Sequence, residues 1–402
     1  MKILIILPRF PYPLEKGDKL RAYHQIKELS VNHDIALFAL SHNAVTPEAL
    51  AEMKSYCKEI CIARLSKIRA AFYVIRNFFG VRSLQIGYWD SRKARKLCHS
   101  FADRVNPDVV YAQMIRTMKY PLGIDKPRVL DYQDALSMNM ERSMVKNRGL
   151  RYFVKHYEFK MLRSAEFNAG GLYDGLTVIS DIDRNAIPQH QETVIDIVPN
   201  GVDFEFFSPQ KLTKQYDLVF CGNMQYKPNV DAALFLVNDI MPIVWKTFPN
   251  ATLLIAGATP TATVRRLASD KVTVSGSVAD IRPCYAQSRI FIAPMRIGSG
   301  LQNKLLEAMS MGIPCVTTSL ANHSLKAEDG KEILVADSPD RLADAVVSLL
   351  SDQQLATSLT DNASQFVRRN FSWSSSVRLL ENVLQSAIDK HANHEPIELD
   401  IE

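Results

Sequence analysis

The sequence predicts an α/β protein of two domains, each built on a parallel sheet. Short apolar strands alternate with amphipathic helices from the first residues onward, and such alternation gives parallel strands covered by helices on both faces. The chain has 402 residues, long for a single core. Over residues 290–316 a buried strand, a Gly-rich turn, a helix and a second strand follow one another. Ligands of such sheets bind beyond the carboxyl ends of the strands.

In the first half, Lys2–Leu7 is a buried strand that stops at Pro8, too short for a signal peptide. A Pro/Gly loop containing Gly17 leads into a helix to about Ser30, and Asp34–Leu40 is the next strand. Thr46-Pro47-Glu48 has the form of a helix cap and start. Cys57 and Cys61 are four apart, which places them on one helix face. The six cysteines lack a C-x-x-C pair or a spacing with histidines that fits zinc, so they are read as reduced thiols and no metal site is expected.

Residues 64–104 hold ten Arg and Lys against two acids, interleaved with Phe72, Tyr73, Phe78, Phe79, Tyr88 and Trp89. One reading is a pair of helices with aromatic core faces and solvated cationic faces. The other is a surface for anionic lipid headgroups or a lipid-diphosphate acceptor, with Arg92, Lys93, Arg95 and Lys96 at its centre. Nucleic acid is not expected, because no recognition motif accompanies the charge. Strands follow at Asp108–Tyr111 and Arg128–Asp131, where Asp131 and Asp134 can cap the next helix. A basic, aromatic helix spans about 148–168, and Leu176–Ser180 is a further strand with Ser180-Asp181 opening a helix.

The second half begins at the Pro199-Asn-Gly201 turn. A strand ends at Gly222 and a helix starts near Asn229; Ala251–Gly257 and Val272–Val278 are strands. The stretch with most chemistry is Ile290 to Val316. Gly298 and Gly300 let backbone approach a ligand, and a helix from about Leu301 to Met311 presents unpaired amide N–H groups to an anion. Lys304 adds a full positive charge. Glu307 lies six residues past Leu301, roughly 9 Å along the axis from the anion site. That suits a nucleotide, with its diphosphate on the helix N-terminus and its ribose hydroxyls on the carboxylate.

Glu307, Ala308, Ser310, Gly312, Pro314 and Val316 resemble the second half of the donor-site signature of GT-B glycosyltransferases of the family 4 type. The first glutamate of that signature is replaced by Ser299, eight residues earlier, which bears on the sugar contacts and leaves the ribose contact in place. Val198-Pro-Asn-Gly-Val-Asp203 and Phe206-Phe-Ser-Pro209 match the family's passage between domains, and Phe371-Ser-Trp373 often precedes a last helix that crosses back to the first. The resemblance covers nearly the whole chain, most strongly 197–320.

What it implies is a GT-B fold: two Rossmann-like domains with parallel sheets facing across a cleft. The N-terminal, acceptor-side domain would be 1–197 and the nucleotide-sugar domain 198–373, with a returning helix at 374–392 and a flexible tail at 393–402. Donor contacts would fall on Gly17, Gly222, Asn223, Lys227, Ser277, Gly298, Ser299, Gly300, Leu301, Gln302, Asn303, Lys304 and Glu307. Asn223 stands where the family usually has a phosphate-gripping Arg, and Lys227 lies one residue before its usual Lys. Gln133 and Asp134 would lie beside the reacting sugar, where many relatives have His-Asp or His-Gly. The implied catalytic residues are Asp134, Gln133 and Lys304.

The implied activity is retaining, metal-independent transfer from a UDP- or GDP-sugar co-substrate, without a bound cofactor. The acceptor would be a glycan or lipid-linked sugar in bacterial cell-surface or exopolysaccharide synthesis. Residues 1–200 carry 30 Lys and Arg against 21 Asp and Glu, so the basic surface lies on the acceptor side. No apolar run reaches the ~20 residues of a membrane span, which favours a cytoplasmic protein, with peripheral membrane contact on the inner face as the variant. The rivals are a catalytically silent sugar- or nucleotide-binding protein, suggested by Ser299, Asn223 and Gln133, and another GT-B enzyme such as a sugar-nucleotide epimerase. A dinucleotide oxidoreductase is disfavoured, since no Gly-x-Gly-x-x-Gly follows the first strand.

Overall fold

The computed structural model describes residues 1–66, 83–144, 149–191, 193–297 and 300–393. The chain divides into two compact units, Met1–Pro199 with Ser376–Glu402, and Asn200–Ser375. The first holds a seven-stranded sheet of β1 (Lys2–Leu7), β2 (Asp34–Ser41), β3 (Glu59–Arg64), β4 (Val109–Gln113), β5 (Arg128–Asp131), β6 (Gly175–Val178) and β7 (Ile195–Ile197). Its strand order is β3-β2-β1-β4-β5-β6-β7. The second holds a six-stranded sheet of β8 (Tyr216–Cys221), β9 (Leu253–Ala256), β10 (Val272–Gly276), β11 (Ser288–Ala293), β12 (Cys315–Thr317) and β13 (Leu334–Val335), in the order β10-β9-β8-β11-β12-β13.

Every described pairing between named strands is parallel, with Ile3 opposite both Ile35 and Val109. Parallel strands are buried on both faces, and β1 shows how the pleat divides the labour. Ile3, Ile5 and Leu7 enter one core, while Leu4 and Ile6 enter the core on the opposite face. Both sheets start at an inner strand, run outward, then jump back to the other side of it. This leaves a switch point between β1 and β4 in the first sheet and between β8 and β11 in the second.

The helices that bear on function are α1 (Gly17–Leu29), α2 (Leu84–Trp89), α3 (Arg92–Val105), α4 (Leu136–Met144), α5 (Leu150–Ala169), α6 (Lys227–Phe235), α7 (Asn303–Ser310) and α8 (Trp373–Asn393). The last of these completes the first unit. Val377, Leu380, Val383, Leu384 and Ala387 join the core formed by Ile3, Ile5, Leu7, Val109 and Tyr111. Burying each larger side chain stabilises by about 1.5–3 kcal/mol. Gly175 permits the close approach: a Cβ there would stand 3.0 Å from Val383 Cγ1 and 3.1 Å from Val129 Cγ2. The segments that link the units run beside each other. Ser376 Oγ donates to the Pro199 carbonyl, and Val202 N–H to that of Phe371.

Two expectations change, and a third falls outside the described residues. Cys61 lies on strand β3 and Cys57 in the turn after the Pro47–Lys54 helix, so the pair does not share a helix face. Strand formation follows from the Ile-Cys-Ile run, which a helical reading of the cysteine spacing overlooked. Helix α7 starts at Asn303, two residues later than expected, because Gln302 is extended (φ −87°, ψ 92°). The cationic and aromatic residues at 67–82, including Lys67, Arg69, Arg76 and Arg82, lie outside the described residues, as do Arg148 and the tail from 394.

Candidate active site

The second unit places the N-termini of two helices after the strands that flank its switch point. β8 leads through Gly222 and Asn223 to α6, and β11 leads through residues 294–302 to α7. Helix α7 leaves its first amide N–H groups unpaired at that edge, whereas α6 offers fewer, because Pro228 has no N–H and the Asn229 N–H is bonded to the Tyr226 carbonyl. Lys304, in the first turn of α7, carries its Nζ to Asn229 Oδ1 of α6 at 2.6 Å. The ammonium also lies 3.8 Å from Met295 Sδ and 5.4 Å from the centre of the Phe220 ring. Burial among these groups pushes its pKa down to about 8, with nearby Glu307 opposing.

Glu307 accepts a hydrogen bond from the buried Tyr285 hydroxyl at 2.7 Å on Oε2. Its Oε1 makes no hydrogen bond among the described residues, so one oxygen is held in place and the other is open to a ligand. Burial raises the carboxyl pKa, while the Tyr285 bond and Lys304 pull it down. Because α7 starts at Asn303, Glu307 is only about 6 Å along the axis from the helix start, shorter than the 9 Å expected.

The other expected donor residues are placed differently from one another. Lys227 and Asn223 are exposed at the entry to α6, and Asn223 Oδ1 accepts from Gln225 N–H and the Thr259 hydroxyl. Ser277 is exposed beside Thr259, whose N–H reaches its hydroxyl at 3.4 Å. Gln302 turns its amide onto the Gly300 carbonyl, and Leu301 packs against the core. Asn303 Oδ1 is buried without a partner. Gly298 and Ser299 lie outside the described residues.

Asn229, Tyr285 and Gly257 carry no expected site role in the sequence, yet they shape this site. Asn229 bridges the two helices by donating to the Asn223 carbonyl at 3.0 Å while accepting from Lys304. Its signal was only an amide in a first helical turn. Gly257 adopts φ +133°, and a Cβ there would fall 1.9 Å from the Gly222 carbonyl oxygen. Its signal was a glycine closing a strand, as Gly222 does.

In the first unit, a polar network sits at the carboxyl ends of β4 and β5. Arg21 Nε donates to Asp131 Oδ2 at 2.7 Å, and both side chains are almost wholly buried. Tyr111 donates to the same oxygen at 3.0 Å, and Gln133 N–H reaches Oδ1 at 3.0 Å. Asp131 therefore does not cap the next helix. The backbone around the start of α4 is served by Asp183, through Ala135 N–H, and by Glu166, through Ser137 N–H. Gln133, expected at the reacting sugar, is only 4% exposed, sits at φ +63°, and donates its amide to Gln113 Oε1. Gly17, expected as a close-approach glycine, is exposed at the first position of α1, and a Cβ there would meet nothing within 4 Å.

Asp134 is half-buried, and its carboxylate makes no hydrogen bond among the described residues. Burial, then the charges of Asp183 and Asp131, push its pKa up to about 6, against the pull of Arg21 and Arg116. With the folded pKa above the unfolded one, the proton favours folding at low pH. That contribution is lost as pH rises through 6. Asp134→Asn is therefore expected to raise stability at pH 8 by about 1–3 kcal/mol and to change it little at pH 4. Thermal melts at the two pH values check this; equal shifts would show that the carboxylate is not strained by ionisation.

On the membrane question, Arg92, Lys93 and Lys96 are exposed on α3, whereas Arg95 is half-buried and paired with Asp90 at 3.0 Å. No helix among the described residues is long and apolar enough to cross a membrane.

Residues 215–352, within the second unit, match the family model of glycosyl transferases group 1. The whole chain is similar to an uncharacterized 44.6 kDa protein in the cps region of Klebsiella pneumoniae, 22% identical over 92% of this chain and 96% of that one. A GDP-mannose-dependent phosphatidylinositol monomannoside mannosyltransferase of Mycobacterium tuberculosis is 27% identical over 48% of this chain, and the match spans only 56% of that enzyme. Among solved structures, sucrose-phosphate synthase of Thermosynechococcus elongatus superposes with a TM-score of 0.69 at 14% identity, covering 97% of this chain and all of that one. Anabaena HepE in complex with UDP-glucose gives 0.66 at 14% identity, covering 96% and 99%. The fold is that of the GT-B glycosyltransferases, with two Rossmann-like units.

Proposed function

We propose that the protein transfers a sugar from a nucleotide-diphosphate sugar, with retention of anomeric configuration and without a metal ion. The observation that carries this is the pairing of Lys304 with the α7 N-terminus at the switch point between β8 and β11, with Glu307 one turn further along the same helix. An oriented helix end and a buried ammonium stabilise the charge that develops on a departing diphosphate. Glu307 Oε1 takes the ribose hydroxyls. Asn303, Lys227 and the backbone at Gly222 and Ser277 line the same edge for the rest of the donor. UDP- and GDP-sugars both satisfy this set. UDP-glucose bound to Anabaena HepE supports the first, and the GDP-mannose dependence of the mycobacterial relative supports the second.

The acceptor, a glycan or lipid-linked sugar, binds the first unit, with Asp134 near the reacting hydroxyl. The cps-region relative favours a role in cell-surface polysaccharide. Mass spectrometry of UDP- and GDP-sugars incubated with the protein tests the reading, because transfer or slow donor hydrolysis is expected. Tight donor binding with no turnover toward any acceptor or water would identify a silent binding protein instead. The configuration of the product, read by NMR coupling constants, tests retention.

Peripheral membrane contact is a second part of this reading. It is favoured by the exposed Arg92, Lys93 and Lys96 of α3 and by Tyr152 and Phe153 of α5, which are 40% and 67% exposed. Each basic residue at an anionic surface contributes about 1 kcal/mol, screened by salt. Sedimentation with anionic vesicles is expected at low salt and lost at high salt. Reversing Arg92, Lys93, Arg95 and Lys96 to Glu should abolish it and leave donor binding intact. Protein left wholly in the supernatant at low salt would assign the stretch to plain surface.

A further inference from the structure

Arg116 is a half-buried arginine that no carboxylate pairs with. It lies three residues past the end of β4, at the switch point of the first sheet. Nη2 donates to Gln85 Oε1 at 2.8 Å, and the buried Nε has no partner. Among the described residues it forms no ion pair. Of the carboxylates whose charge it senses, Glu158 is occupied at the start of α2, accepting from Ser83 Oγ, Leu84 N–H and Gln85 N–H. Asp18 is paired with Arg9. That leaves Asp134, which approaches without hydrogen-bonding it. Burial and the nearby charge of Arg9 lower the Arg116 pKa, and the charges of Asp18, Asp134 and Glu158 offset this only in part.

The surroundings describe what would offset it. Arg9, Arg116 and Asp134 follow the carboxyl ends of β1, β4 and β5, which are neighbours in the sheet. Arg9 lies over the Trp89 ring at 5.3 Å, and a cavity of about 420 Å³ opens beside it, walled by Tyr12, His42, Tyr88 and Trp89. Aromatic faces suit the C–H faces of a sugar ring, and a guanidinium with free N–H groups suits an oxyanion.

We propose that Arg116 is a specificity-determining residue that binds an oxyanion, a carboxylate or a phosphate, carried by a sugar acceptor. The inference rests on the acceptor side of the proposed function and adds the acceptor's charge to it. A sugar with the oxyanion on one carbon and a free hydroxyl on another engages Arg116 and Asp134 together, with its ring or the next residue in the aromatic cavity.

The test measures binding of methyl β-glucuronide, glucose 6-phosphate, inorganic phosphate and neutral methyl β-glucoside to the full-length protein by calorimetry and saturation-transfer NMR. Either the glucuronide or the sugar phosphate is expected to bind at least about tenfold tighter than the glucoside, and whichever does names the source of the charge. Arg116→Gln, which can keep the bond to Gln85, should erase that preference without lowering Tm. Arg116→Lys should keep part of it. UDP and GDP affinities, set in the other unit, should not change. Equal binding of charged and neutral sugars, no sugar binding, a preference that survives Arg116→Gln, or a preference equally lost in a well-folded Arg116→Lys would overturn the proposal. Inorganic phosphate competing as well as the sugar phosphate would reduce it to a bare anion site. If neither nucleotide binds yet the Arg116-dependent preference persists, the transferase reading fails and the anion site stands.

Discussion

Lys304→Ala is expected to weaken UDP or GDP about 100-fold while leaving uridine or guanosine within about twofold, since two charge-assisted bonds near a helix N-terminus are lost. The structure adds a signature in pH. In the free protein Lys304 titrates at about 8, because burial disfavours its charge and Asn229 is a neutral partner. A bound diphosphate restores the charged form, so binding above pH 8 takes up a proton and affinity falls as pH rises. Calorimetry in buffers of different ionisation enthalpy reads that proton directly. In Lys304→Ala both the proton uptake and this part of the pH dependence should vanish. Equal losses for nucleotide and nucleoside would mean that Lys304 acts through the packing of α6 on α7.

Glu307→Gln should lower donor affinity 10- to 100-fold, on the order of 1.5–3 kcal/mol for a charge-assisted bond to ribose. Folding should not suffer. A glutamine carbonyl still accepts from Tyr285, and the variant no longer carries a carboxylate whose ionisation burial opposes. Donor Kd measured beside Tm separates the two roles. Weaker donor binding with unchanged or higher Tm supports a ligand contact, whereas unchanged Kd removes Glu307 from the site.

Much of this was legible in the chain because strand and helix periods are local. Ile3 to Leu7 reads as a strand buried on both sides, and the structure sends alternate residues into two cores. Lys304 and Glu307 stood out as charges inside an apolar helical pattern, and both lie on α7, which follows β11. Long-range partnerships were not legible. Asn229 meets Lys304 across 75 residues, and Tyr285 meets Glu307 across 22, so no spacing announces either. The burial of Gln133 was not legible for a related reason. Its neighbourhood suggested a substrate contact, but its positive φ and its bond to Gln113 arise from how β4 and β5 end side by side. Arg116 is not legible at all, since an arginine after a strand carries no signal until its lack of a carboxylate partner is seen.

The return of α8 to the first unit has a consequence for how the protein is made. Chains usually fold from the N-terminus as they leave the ribosome. Here Leu380, Leu384 and Ala387 belong to the same buried cluster as Ile3 and Val109, so the first-synthesised unit lacks part of its core until nearly the whole chain has emerged. The second unit, Asn200–Ser375, is continuous in sequence and can finish first. The order of folding is therefore expected to be the reverse of the order of synthesis, with part of the nascent first sheet's apolar face uncovered until α8 emerges. Ribosome-stalled chains ending before Ser376 should show protease resistance in the second unit and sensitivity in the first.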